Sequence, residues 1–172
     1  ILAQQMLQNL REDFIPYFLE VGEFLFRNPE AHILYASEYI LSMFNPSFQE
    51  EFNQWRQGNP QDYLKLLNDI SFYATARKRW YILSFLEGIN LKIVGAFEGE
   101  LKEGHEHIST NSWRDALELI GRSHMTILSY PHTVPTGVGF VPLEVAFMGS
   151  APMVDFRATL GGFFTPEEEV IT

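Results

Sequence analysis

The sequence contains no cysteine, which excludes disulfides and thiolate zinc sites and fits a reducing compartment. No apolar run approaches the roughly 18 residues that a membrane-spanning helix needs. The opening residues, ILAQQML, lack the basic region and the hydrophobic stretch of a signal peptide. We therefore expect a cytoplasmic protein with no transmembrane segment.

Basic residues are scarce, since 12 Lys and Arg stand against 22 Asp and Glu and give a formal net charge of -10. Nucleic acids and anionic membrane surfaces both require a basic face, so neither is expected as a partner. Any phosphate group must therefore be held by a few local groups. The chain begins at Ile1 rather than at a methionine and stops just after a predicted strand, so we expect a piece of a longer polypeptide.

The motifs of several enzyme classes are also missing. GxxxxGKS/T, GxSxG and HExxH do not occur, which disfavours a P-loop NTPase, an α/β-hydrolase and a zincin. Gly137-Val138-Gly139 followed by Asp155 imitates a dinucleotide fingerprint, but Pro142 replaces the third glycine. His105 and His107 would share one face of a strand as metal ligands do, yet no third ligand recurs nearby, and no metal site is expected.

Residues 1–67 are predicted to be entirely helical, because their apolar residues recur at helical spacing and no strand alternation occurs. Three Asn-Pro pairs, at residues 28–29, 45–46 and 59–60, each offer an N-cap side chain followed by a proline at the first helical position. Each pair is predicted to start a helix. This segment would pack on, or link to, the rest of the chain.

Residues 68–172 are predicted to form a Rossmann-like α/β unit with a parallel sheet, because short β-branched runs alternate with helical patterns. The first strand is predicted at ISFYAT, residues 70–75, and is followed by the basic helix ARKRWYILSFL. A helix is expected after Asn111 or Ser112, and another over residues 141–148. The remaining strands are predicted at residues 91–95, 107–109, 125–129, 152–155 and 170–172.

Several of these stretches, read together, resemble the C-terminal domain of GT-B glycosyltransferases, closest to the spore-maturation-type bacterial group. They are ISFYATARKRWYILSFL, LKIVG, SWRDALELI, SHMTILSYP, TGVGFVPLEVAFMGSAPMVD and FFTPEEEVI. In that family the C-terminal domain binds the nucleotide-sugar donor, and a separate N-terminal Rossmann domain carries most of the acceptor site. The resemblance implies that this chain holds only the donor half and is inactive alone.

The resemblance also implies the residues of a donor site. Glu144 matches the second of two family glutamates eight positions apart, which resembles a clamp on the ribose hydroxyls. Thr136 stands where the first glutamate would be and brings no charge. Gly137, Val138 and Gly139 match the glycine-bearing loop over the diphosphate.

Basic residues of the predicted helix complete that set. Arg77 or Arg79 matches the family's basic residue beside the diphosphate, and Arg79 is favoured. His132, in the loop PHTVP, could be a donor or proton shuttle at the cleft, or could make only a local hydrogen bond. No metal ion or other cofactor is implied, because this family neutralises its leaving group with backbone amides and basic side chains.

The expected function is therefore binding of a nucleoside-diphosphate sugar for glycosyl transfer to an acceptor hydroxyl. The alternative is a non-catalytic module in which the aromatic-rich helices of residues 1–67 bind a protein partner and the sugar-nucleotide site is degenerate.

Overall fold

The structure is a computed structural model that describes residues 6–8, 10–95, 97, 99–110, 112–133, 137, 139–155 and 162. Contacts divide the chain into two compact units. The first unit comprises residues 1–78 and 131–135, and the second comprises residues 79–130 and 136–172. The sequence predicts a boundary after residue 67, whereas this division falls between Lys78 and Arg79, inside a helix.

The first unit is built from helices. A 3₁₀ turn, Glu12–Phe14, leads into α1 Ile15–Arg27, α2 Ile33–Leu41, α3 Pro46–Gly58 and α4 Pro60–Phe85, of which α4 continues into the second unit. No described residue between positions 10 and 67 lies in a strand, as the sequence predicts.

Two of the three Asn-Pro pairs start helices, as predicted. The Asn45 side chain accepts a hydrogen bond from the backbone N–H of Phe48 at 2.9 Å, and α3 begins at Pro46. The next helix, α4, begins at Pro60, but the Asn59 side chain donates to the carbonyl oxygen of Trp55 at 2.9 Å and so caps the end of α3 rather than the start of α4. A proline at the first helical position loses no hydrogen bond, because a backbone N–H at that position would have no acceptor within the helix.

The prediction for the pair at residues 28–29 is wrong. The side chain of Asn28 donates to the carbonyl oxygen of Phe24 at 2.8 Å, so it closes α1 instead of opening a new helix. The next helix begins only at Ile33, where the preceding His32 ring accepts from the N–H of Leu34 at 3.2 Å. Asparagine can satisfy a helix end at either terminus, and the sequence alone did not distinguish the two roles.

Aromatic rings dominate the core of the first unit. Tyr17 and Phe52 are fully buried, and their ring centroids lie 4.5 Å apart. Phe14 meets Phe52 edge to face at a centroid distance of 5.1 Å. Such tilted and edge-on pairs are the favourable geometries for aromatic rings, so this cluster holds α1 and α3 together.

The predicted strand at residues 70–75 is wrong, because this segment lies in the middle of α4. Its β-branched and aromatic residues suggested a strand, but the buried positions recur with a helical period. The hydroxyl of Thr75 donates to the carbonyl oxygen of Ser71 at 2.7 Å, which satisfies a polar group inside the helix. The buried residues of this stretch are Ile70, Ser71, Ala74, Thr75 and Lys78.

The second unit alternates strands and helices. Its strands are β1 Leu91–Val94, β2 His105–Ile108, β3 Met125–Leu128 and β4 Ala151–Val154, and its helices are α5 Trp113–Ile120 and α6 Val141–Phe147. The Ser112 side chain caps α5 by accepting the N–H of Asp115 at 3.2 Å, as predicted. The mixed helix and strand content agrees with the predicted α/β class.

The strand pairing is parallel, but the described strands form two separate two-stranded sheets rather than one. β1 pairs with β2, and β3 pairs with β4 in the register Met125↔Ala151 to Leu128↔Val154. The segment predicted to supply the first strand is helical, and no described strand joins the two pairs. The predicted strand at residues 170–172 lies outside the described residues.

Substitution of Tyr17 by Phe tests the polar contact inside the aromatic core. The Tyr17 hydroxyl lies 2.5 Å from the Ser37 Oγ, and burial raises the pKa of Tyr17 above its ordinary value. We expect Tyr17→Phe to cost about 1 kcal/mol of unfolding free energy at pH 8, as measured by urea denaturation.

The Tyr17→Phe variant should also differ from wild type in how its stability changes at high pH. Because the folded state disfavours the Tyr17 anion, wild-type stability should hold below the ordinary tyrosine pKa of about 10 and fall as pH rises above it. The variant should lose less stability there, whereas Tyr35→Phe, at an exposed position, should behave like wild type. Parallel alkaline losses in Tyr17→Phe and wild type would contradict this account.

Candidate functional site

The carboxyl ends of β3 and β4 are fixed to each other. Beyond the paired residues, the backbone N–H of Asp155 donates to the carbonyl oxygen of Leu128 at 3.4 Å. The N–H of Tyr130 donates to the Asp155 Oδ1 at 2.9 Å. This structural role accounts for an acid at a position where the sequence imitates a dinucleotide fingerprint. Ligands of open α/β folds bind outside such carboxyl ends, so this edge is the first place to look for a site.

Arg79 brings a cation to this edge. Its Nη2 donates to the backbone carbonyl oxygen of Ser129, the residue that follows β3, at 3.2 Å. Among the described residues no acidic side chain forms an ion pair with Arg79. A guanidinium carries five N–H donors, and the others are available to an anion such as phosphate.

Arg77, the other basic candidate, has a different environment within the first unit. It forms an ion pair with Glu23, and its guanidinium lies over the ring of Phe26 at 5.0 Å from the centroid. These contacts give Arg77 a structural role. The neighbouring Lys78 is buried. Of the two arginines that the sequence offers, Arg79 is the one at a strand end.

The glycine-bearing loop is described at Gly137 and Gly139. Gly139 has a φ of +58°, a left-handed conformation in which a side chain is strained, and an added Cβ would meet open space there. Its backbone conformation, rather than crowding, is therefore what favours glycine. Thr136 and Val138, the other predicted members of this loop, lie outside the described residues.

Glu144 lies in the first turn of α6 and is exposed. In the described part of the chain, its carboxylate has no hydrogen-bond donor or basic partner, so it can accept hydrogen bonds from a ligand. It borders an open groove of about 450 Å³ with apolar walls. The other residues along this groove are Leu117, Phe140, Leu143, Phe147 and Met148.

His132 lies in the first unit and is only 1% exposed. Its backbone N–H donates to the Thr75 Oγ1 at 3.1 Å. A ring that is this deeply buried cannot meet a substrate without movement. The structure therefore favours the local, structural interpretation of His132 over the proton shuttle.

One of the two strand histidines, His107, has a local hydrogen-bond partner. The Nε2 of His107 lies 2.6 Å from the carbonyl oxygen of Gly95, at the end of β1. Across the described residues, no group of three or more His, Cys, Asp or Glu side chains is placed to hold a metal ion. Within the same residues, no helix combines the length and apolar character needed to cross a bilayer.

The sequence did not predict two contacts of the second unit. Ser129 contributes a backbone carbonyl, which no side-chain pattern can reveal. Trp80 follows Arg79 directly and contacts Phe97, the two ring centroids being 5.4 Å apart. The sequence shows a tryptophan next to the favoured arginine, but it does not show that this tryptophan contacts Phe97, 17 positions away.

Comparison with known proteins gives one informative relative. A protein of Aquifex aeolicus, described as an uncharacterized protein, is 45% identical over 172 residues, which cover all of this chain and 43% of that protein. The chain thus spans less than half the length of this relative. No family model and no solved structure matches the chain.

The two arginines provide a matched test of the candidate site. We expect Arg79→Gln to weaken binding of pyrophosphate at least tenfold in calorimetry, because one charge-assisted contact contributes about 1.5 to 3 kcal/mol. Arg77→Gln should leave that affinity unchanged and should cost about 1 kcal/mol of stability, since its ion pair with Glu23 is partly buried. Equal pyrophosphate affinities in Arg79→Gln and wild type would rule out this site.

Proposed function

We propose that this chain is the donor-binding half of a GT-B-type glycosyltransferase and that its second unit binds a nucleoside-diphosphate sugar. The observation that carries the proposal is the hydrogen bond from Arg79 to Ser129 at the carboxyl end of β3. In a chain with a net charge of -10, a diphosphate needs a local cation, and Arg79 supplies one.

The second support is the order of elements around this edge. Strand β3, the glycine-bearing loop, α6 and the parallel strand β4 follow one another as the resemblance requires. Glu144 on α6 offers an exposed carboxylate, which can accept hydrogen bonds from two vicinal ribose hydroxyls at once. The proposed assignment is therefore ribose to Glu144 and diphosphate to Arg79 and the Gly137–Gly139 loop.

The proposed reaction is a displacement at C1 of the donor sugar. The acceptor oxygen forms a bond to C1, the bond from C1 to the diphosphate oxygen breaks, and the acceptor proton passes to a base. Arg79 and backbone N–H groups would stabilise the negative charge that develops on the leaving diphosphate. The proposal needs no metal ion and no organic cofactor for this charge.

The acceptor belongs to a second domain in this proposal. More than half of the Aquifex aeolicus relative lies outside the match, which leaves room there for a domain of the size that a GT-B enzyme requires. The N-terminal GT-B domain would be the partner of this donor half, and the donor half alone would be inactive.

Nucleotide-sugar binding tests this proposal directly. We expect one of a panel of UDP-, GDP- and ADP-sugars to raise the melting temperature in a concentration-dependent way, because a ligand that binds only the folded state stabilises it. In calorimetry, Glu144→Ala should weaken binding of that sugar nucleotide by about 1 to 3 kcal/mol, since the ribose hydroxyls lose their acceptor.

Glu118→Ala is the control for Glu144→Ala, because Glu118 is an exposed acid on α5 whose ion pair with Arg114 is long, at 3.8 Å. It should bind the sugar nucleotide as wild type does. If Glu144→Ala also retains wild-type affinity, the ribose assignment is wrong.

A second candidate function has its own observation. Helix α2 and the turn after it expose a row of large apolar residues, and the rings of Tyr35 and Tyr39 stack at a centroid distance of 5.9 Å. Exposed apolar rows are typical of protein-binding surfaces. A non-catalytic interaction module is therefore the alternative function. It is favoured if no sugar nucleotide changes the melting temperature. The exposed residues of this row are Leu34, Tyr35, Tyr39 and Met43.

A further inference from the structure

A cluster of aromatic rings lies where β1 and β2 end. The Trp80 and Phe97 rings are tilted by 40° with their centroids 5.4 Å apart, and Phe97 lies 5.7 Å from the ring of His107. His107 is held by its contact with the carbonyl oxygen of Gly95, directly after β1. The cluster thus joins helix α4 to the carboxyl ends of the first parallel pair.

The indole of Trp80 is fixed along one edge and open elsewhere. An added Cβ at Gly99 would clash with the Trp80 Cζ2 and Cη2, so the backbone of Gly99 packs directly on the ring. Even so, 46% of Trp80 remains exposed. A large apolar ring that is held in place but left open offers a preorganised stacking surface, because little side-chain entropy remains to be lost.

The position of this ring matters as much as its exposure. Trp80 follows Arg79 directly in α4, and consecutive Cα atoms are about 3.8 Å apart. Arg79 reaches the end of β3, while Trp80 contacts the segment after β1. Consecutive residues of α4 in the second unit therefore carry a cation that contacts the end of one strand and an aromatic ring that contacts the segment after another.

We propose that Trp80, supported by Phe97, stacks against the nucleobase of the donor nucleotide. This inference rests on the proposed function, and it assigns the base to residues that the resemblance does not identify. Aromatic rings stack on all nucleobases, so the contact supplies affinity for an aromatic heterocycle without selecting one base. Base selection would then come from hydrogen bonds at the edge of the base.

The test compares two tryptophans of similar exposure in the second unit, Trp80 at 46% and Trp113 at 48%. Calorimetry would measure the Kd of UDP, GDP and ADP, and of pyrophosphate as a probe without a base. Trp80→Leu should weaken the tightest of the three nucleotides about tenfold, in keeping with the loss of one base stack. Its affinity for pyrophosphate should stay at the wild-type value, and Trp113→Leu should bind both probes as wild type does.

Two further variants keep the test informative if Trp80→Leu does not fold. If Trp80→Leu fails to melt cooperatively, Trp80→Phe should keep most of the nucleotide affinity, and Phe97→Leu should lose part of it while still binding pyrophosphate. Wild-type nucleotide affinity in the folded Trp80 and Phe97 variants overturns the stacking inference. It is also overturned if Phe147→Ala, on the groove beside Glu144, loses nucleotide affinity and Trp80→Leu does not.

These outcomes separate the two proposals. If nucleotide binding depends on Glu144 but not on Trp80, the donor-site proposal is retained and the stacking proposal is contradicted. If the wild-type protein binds none of the three nucleotides, both proposals are contradicted.

Discussion

The parallel pairing of β3 and β4 is the constraint on which the candidate site depends. Two neighbouring strands can run parallel only if the chain returns to the starting edge, so the connection between them must cross over. Here that connection contains the glycine-bearing loop and α6. The contact between Tyr130 and Asp155 then holds both strand ends at one edge. Glu144 stands in the proposed site because it is carried on the crossover helix.

Helix α4 carries two further residues of the proposed site, Arg79 and Trp80. It is 26 residues long, and its last turns belong to the second unit. Arg79 and Trp80 leave it in different directions, since consecutive residues are about 100° apart around a helix. One reaches the end of β3 and the other the segment that follows β1. One helix thus carries two neighbouring groups of different chemistry, a cation and an aromatic ring.

The two units differ in how they bury apolar residues. In the first, an aromatic cluster around Tyr17 and Phe52 forms a continuous core. In the described part of the second, the fully buried apolar residues are few, while Phe140 and Phe147 are 76% and 90% exposed. Segments with few buried contacts open more easily, and ligand sites are often drawn from them. Among the described residues of this unit, the buried apolar ones are Ala116, Pro142, Val145, Pro152 and Val154.

Local signals in the sequence predicted much of this fold. Asn45-Pro46 and Ser112 start helices because each provides a capping oxygen, and the strands that became β1, β3 and β4 lie within about one residue of their predicted ends. The segment at residues 70–75 failed because β-branched residues tolerate a helix when its packing face is buried and its hydroxyls bond to the preceding turn.

The site was less predictable than the fold. Arg77 and Arg79 carry the same chemistry two positions apart, and only tertiary contacts distinguish them. Arg77 pairs with Glu23, which is 54 positions away, and Arg79 reaches a backbone carbonyl 50 positions away. Neither partner has a local sequence signal. The parallel sheet predicted from the sequence is present among the described residues as two separate strand pairs.

The central claim is that a nucleoside diphosphate binds at the carboxyl ends of β3 and β4. Amide chemical shifts of the isotope-labelled chain, followed by NMR during titration with the tightest of UDP, GDP and ADP, test it most directly. The account predicts that the largest shift changes fall on Tyr130, Gly137, Gly139 and the first turn of α6, with α1 to α3 unaffected. Shift changes confined to α1 to α3, or no saturable change at all, would contradict it.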